Sequence, residues 1–116
     1  MLGFKHIQFA GSLTSTASST ATIFAAGGSG TKWCLTKGLI TCVGPVADAT
    51  LSMQETGTNG TALNVIYKTP LATWNAPVAW DFGDHGFEAA ATNTRLVWLI
   101  EGANASANMI CVGYYR

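Results

Sequence analysis

Apolar and polar residues alternate along most of this chain, with a period of two. In residues 78–82, VAWDF, the positions Val78, Trp80 and Phe82 share one side and Ala79 and Asp81 the other. In residues 61–69, TALNVIYKT, Leu63, Val65 and Tyr67 line up the same way. Successive side chains of a strand point to opposite faces, so this period predicts strands. Thr, Val, Ile and aromatic residues fill these stretches, and strong helix formers are sparse. Strands are expected over 21–26, 31–44, 49–56, 61–69, 78–82, 94–102 and 109–115. Between them lie turn signals: GGSG at 27–30, GTNG at 57–60, ANASAN at 103–108, and a proline-bracketed loop at 70–77. The expected fold is all-β: a single antiparallel β-sandwich, jelly-roll-like, of seven or eight short strands.

Three segments refine this picture. Residues 31–44, TKWCLTKGLITCVG, read as a hairpin turning at Lys37 and Gly38, or as one long strand with Gly38 at a bulge or close approach. The long strand is the favoured reading, and it places Cys34 and Cys42 on one face, about 26 Å apart. Residues 94–102, TRLVWLIEG, are apolar on both parities: Leu96, Trp98 and Ile100 on one, Val97 and Leu99 on the other. A strand apolar on both faces is covered on both, so Val97 and Leu99 are candidate interface residues. Residues 4–10, FKHIQFA, read as an extended arm with Phe4 and Phe9 as anchors, and Phe4, Ile7 and Phe9 are candidate interface residues. The small polar stretch 11–22 reads as a connector or as a strand lying against another surface. The expected organisation is an arm over 1–18 and a sandwich over 19–116.

Composition narrows the function classes. Apolar residues are 48% of the chain and charged residues 10%, against about 25% charged in ordinary soluble domains. The apolar share supports a packed core rather than disorder. A surface of Thr, Ser, Asn, Gly and Ala suits a protein that loses much of its exterior to neighbours. Net charge is zero, and 6 scattered cations make no basic patch for nucleic acid. No apolar run is long enough for a membrane-spanning helix, and the N-terminus does not read as a secretory signal.

The densest chemistry is AWDFGDHGFE at 79–88, which gathers Asp81, Asp84, His85 and Glu88. A cation would need more oxygens than this stretch offers, and it lacks the calcium-loop pattern. Asp and Gly are turn formers, so the stretch is expected to be a tight turn capped by Asp81 and Asp84 and packed by Trp80, Phe82 and Phe87. No metal site or cofactor is expected. Cys34, Cys42 and Cys111 have no zinc spacing and an odd count, and read as buried free thiols. No Ser-His or phosphate-binding motif is present, so no enzyme activity is expected. Trp33, Trp80 and Trp98 fall in apolar alternation and read as core. Trp74, in the 70–77 loop, is the candidate for an exposed contact. It motivates the alternative function, a receptor- or carbohydrate-binding module of a virion appendage.

Three stretches together resemble the small β-sandwich capsid decoration (cement) proteins of tailed bacteriophages. They are STATIFAAGGSGTKWCL, GFEAAATNTRLVWLI and ANMICVGYY, within residues 19–116. Met1 to Ser18 depart from the pattern as an added arm. The resemblance implies a non-enzymatic protein on the capsid surface, bound to the major capsid protein lattice. It implies an arm over 4–10 that reaches neighbouring subunits, by β-augmentation in the simplest case. By the same analogy the chain is a homo-oligomer, with a trimer closing over the Val97 and Leu99 face.

Overall fold

The alternation resolves into nine strands: β1 (Lys5–Ser15), β2 (Ser18–Phe24), β3 (Trp33–Cys42), β4 (Thr50–Thr56), β5 (Ala62–Pro70), β6 (Val78–Asp81), β7 (Phe87–Glu88), β8 (Arg95–Glu101) and β9 (Ala105–Tyr115). The structure is a computed structural model and describes residues 5–15, 18–42, 49–70, 78–102 and 105–116. All pairs are antiparallel. The larger sheet has the order β1-β9-β3-β6, with β7 also on β3; the smaller has β2-β8-β4-β5. The two sheets pack as a β-sandwich. Leu13, Trp33, Leu35, Ile40 and Met109 from the first meet Phe24, Leu51, Met53, Leu96, Trp98 and Ile100 from the second.

Residues 5–15, read above as part of an arm, form the edge strand β1. They pair with β9 in unbroken register from Lys5 opposite Tyr115 to Ser15 opposite Ala105. The odd positions Ile7, Phe9 and Leu13 face the core, and His6, Gln8, Ala10, Ser12 and Thr14 face outward. The polar stretch after Gly11 folds as a strand because its partner is equally small: Ala105 and Ala107 are fully buried. Residues 105–108, expected as a turn, belong to β9 for the same reason.

Residues 33–42 form one strand, as favoured, with an irregularity in register between Leu35 and Lys37. Thr36 sits at this bulge and donates its hydroxyl to the Val112 carbonyl at 2.9 Å. The extra residue switches the buried parity: Trp33 and Leu35 are inside on odd numbers, Ile40 on an even one. The side chain of Cys42, and with it the expected sharing of one face with Cys34, lies outside the described residues; the backbone of Cys34 pairs with Tyr114. Gly38 is a close-approach site, as expected. A Cβ there would lie 2.5 Å from the Trp80 ring and 2.7 Å from Cys111 Cβ.

Candidate functional site

β6 and β7 are two halves of one edge strand. Asp81 stands opposite Lys37 and Phe87 opposite Leu35, so only Thr36 of β3 spans the gap that residues 82–86 fill. The nine strands are thus eight with one broken. The break is the acidic stretch singled out above, and it is a turn. Asp81 Oδ1 accepts from the Gly83 amide at 2.8 Å, and the Gly86 amide donates to the Gly83 carbonyl at 3.2 Å. Gly83 and Gly86 take φ of 76° and 74°, which side chains rarely tolerate. The base of the turn is held by Tyr114, whose hydroxyl donates to the His85 carbonyl at 2.8 Å.

Asp84 and His85 are exposed on this turn. Among the described residues, no three His, Cys, Asp or Glu side chains lie close enough to hold a metal ion. Phe82 and Phe87, expected to bury around the turn, instead pack on each other at 5.6 Å and stay 43% and 39% exposed. The turn interrupts an edge strand, and no further strand pairs beyond that edge among the described residues. Glu88, beyond the turn, is bound by Lys32 at 3.2 Å and Arg116 at 2.9 Å.

The other sequence candidates scatter. Phe4 and Trp74 lie outside the described residues. Ile7 and Phe9 sit on the inner side of β1, with Phe9 edge-on to Trp98 at 6.0 Å. Val97 and Leu99 sit half-buried on the outer face of the smaller sheet, in rows with Thr22 and Gln54 and with Thr20 and Ser52. The structure does not bring these residues into one site.

Two features were missed. The first is Glu55, an ionisable group only 2% exposed, with no ion pair among the described residues. Its carboxylate accepts four hydrogen bonds: Ala90 N at 2.9 Å, Ala91 N at 3.1 Å, Thr94 Oγ1 at 2.8 Å and Asn64 Nδ2 at 3.2 Å. Burial pushes its pKa up, the four donors together push it further down, and the net position is below the ordinary value. This carboxylate fastens loop 89–94 to the smaller sheet. With every acceptor site engaged by its own chain, it is a structural anchor rather than a base.

The second is a trough on the outer face of the larger sheet, with a volume of about 660 Å³. It crosses β1, β9, β3 and the short β6 at right angles. Its floor is the backbone of the inward row Phe9, Cys111, Gly38 and Trp80. One wall is Gln8, Val112, Lys37 and Asp81; the other is Ala10, Ile110, Leu39 and Ala79. The second wall is an unbroken apolar ridge, and Ile110 on it is 55% exposed.

Cys34 and Cys111 are buried free thiols, as expected. Burial pushes Cys111 up to about 12, and burial also raises Cys34 despite the Tyr114 hydroxyl beside it. The thiolate is the reactive form. Native protein at about pH 8, near the pKa of an ordinary thiol, is expected to leave both unmodified by iodoacetamide. Peptide mass spectrometry should find both labelled only after unfolding in guanidinium. Native labelling of either would contradict this packing. The chain matches no protein-family model, and no curated protein matches it.

Proposed function

We propose that this chain is a non-enzymatic virion structural protein of the capsid decoration type, attached to a lattice of major capsid protein. The observation that carries the reading is the outer edge of β1. It runs eleven residues without a bulge, and no strand lies beyond it among the described residues. Such an edge is a template for a neighbour's strand. The other long edge, β5, has two register shifts against β4, at Ile66 and Leu63, and bulges of this kind deter pairing. The role given above to the arm over 4–10 thus passes to a strand that stays in its own sheet and offers its far side.

The strand order also supports the reading. Counting β6 and β7 as one broken strand, β1-β9-β3-β6 over β2-β8-β4-β5 is the order of a jelly roll. That architecture recurs in viral capsid and lectin domains, a fold-level analogy that agrees with the resemblance. The trimer remains part of the proposal as an arrangement formed on the virion surface, closing over Val97 and Leu99 when the lattice holds three copies together, and not as the state of the free protein.

Quantitative mass spectrometry of purified, assembled particles tests the reading. The chain is expected at a fixed ratio to the major shell protein, and its absence from particles would overturn the proposal. Ser12→Lys with Thr14→Lys tests the edge. Both positions are exposed, and lysines along an edge oppose strand addition. Particle attachment is expected to fall at least about tenfold with the melting temperature unchanged. Undiminished attachment removes β1 from the binding mode.

A further inference from the structure

The outer face of the larger sheet places a ridge directly beside a groove of the same length. The ridge is Ala10, Ile110, Leu39 and Ala79, one residue from each of four strands. The groove beside it is floored by backbone, because the next row turns inward. A surface with a ridge next to a matching groove is self-complementary under a two-fold axis between them. We infer that this face is a homodimer interface, in which the ridge of each copy fills the groove of the other.

The charge pattern selects a second copy as the occupant. The groove's far wall carries one cation and one anion, Lys37 and Asp81, opposite each other in register and without an ion pair between them. Its net charge is zero, so a second identical face meets no charge of one sign. The two-fold axis runs across the strands, setting β9 against β9 and β3 against β3 of the partner. The two apolar ridges then lie side by side at the centre, and Lys37 and Asp81 of each copy fall on the outside, near water. A strongly acidic or basic partner would find no counter-charge here.

Size agrees with a modest dimer. The open parts of these strands, at about 3.3 Å per residue and about 4.8 Å apart, present on the order of 450 Å² per copy, because β6 has four residues and the Cys34 and Tyr114 end of the face is buried. That gives about 900 Å² in total, the size of a weak, reversible association. The small residues Ala10 and Ala79 at the ends of the ridge let the rims approach. Ile110 and Leu39 at its centre supply most of the apolar area.

This interface is independent of the capsid reading, and its test uses purified protein alone. Analytical ultracentrifugation at about 100 μM, high enough to populate a weak dimer, is expected to give a dimer. Ile110→Lys, at a position already half-exposed, is expected to give a monomer with an unchanged melting temperature. Because the two-fold axis brings residue 110 beside its own mate, Ile110→Cys is expected to form a disulfide-linked dimer under mild oxidation. Val65→Cys, on the exposed edge of the other sheet, is the control that should not. Wild-type protein that stays monomeric at this concentration overturns the proposal. So does a dimer that persists in Ile110→Lys. A wild-type monomer whose particle attachment is nevertheless lost in Ile110→Lys would assign the face to the lattice instead.

Discussion

Replacing Glu55 with Ala is expected to lower the unfolding free energy by about 3 kcal/mol, read as a shift in denaturation midpoint at constant slope. The change removes one buried acceptor and strands four donors. Thr94 is 5% exposed, so its hydroxyl regains no water, and it keeps only the longer 3.3 Å contact to the Ala91 carbonyl. The Ala90 and Ala91 amides lie nearer solvent and lose less. The damage should spread, because loop 89–94 is tied to the turn before β3. Asn93 donates its amide to the Thr31 carbonyl at 2.8 Å and accepts from the Gly28 amide at 3.2 Å. Glu55→Gln keeps the volume but turns an NH₂ toward donors, and should cost about 2 kcal/mol. The charge adds a pH signature. The folded pKa lies below the ordinary 4.5, so the stabilisation is full above that pH and drains as pH falls through the folded value. Melting temperature should therefore drop more steeply in wild type than in Glu55→Gln below about pH 4.5. Parallel curves would mean the carboxylate is not ionised in its cage.

Much of this fold was legible, and the failures have physical causes. Period-two alternation located most strands because each is buried on one face. It separated Leu96, Trp98 and Ile100, fully buried, from Val97 and Leu99, which are half-exposed. It also put Glu55 on the same side as Leu51 and Met53, so the clue to its burial was present. An isolated carboxylate at an inward position is either an error of parity or a group with its own donors, and only the fold supplies the donors. Residues 5–10 read as an arm, and the small polar half after Gly11 reads equally as connector or as strand, because what makes it a strand is a matching run of Ala in β9, ninety residues away. A bulge in this strand was suggested at Gly38 but falls at Thr36, because a glycine marks backbone freedom while the position of the inserted residue is set by pairing with β9. The acidic stretch was recognisable as a turn from Asp and Gly alone. Its setting, an interruption of an edge strand, depends on pairing with β3. The ridge and groove drew on β1, β3, β6 and β9, and no local pattern joins those four.

Replacing Trp98 with Ala is expected to cost about 4–5 kcal/mol, the largest loss from any single substitution considered for this chain. Trp98 has no exposed surface and stands at the middle of the smaller sheet, between Ala21 and Met53 in register. Trp98→Phe separates the reasons. It keeps most of the ring, and it deletes an indole N–H that is buried with no hydrogen-bond partner. An unpartnered donor costs about 1–3 kcal/mol, so its removal offsets lost volume, and the net change should be only about 1 kcal/mol. The same ring also decides how β1 behaves in solution. Phe9 meets Trp98 edge-on, with an interplanar angle of 81°. If residues 5–15 stay in their own sheet, Phe9→Ala and Trp98→Ala will be coupled by about 0.5–1.5 kcal/mol in a double-mutant cycle. If that segment leaves the sheet, as a detached arm would, Phe9→Ala alone will be near neutral and the coupling will vanish. The cycle should be run on a chain carrying Ile110→Lys, so that association through the larger sheet does not enter the unfolding midpoint.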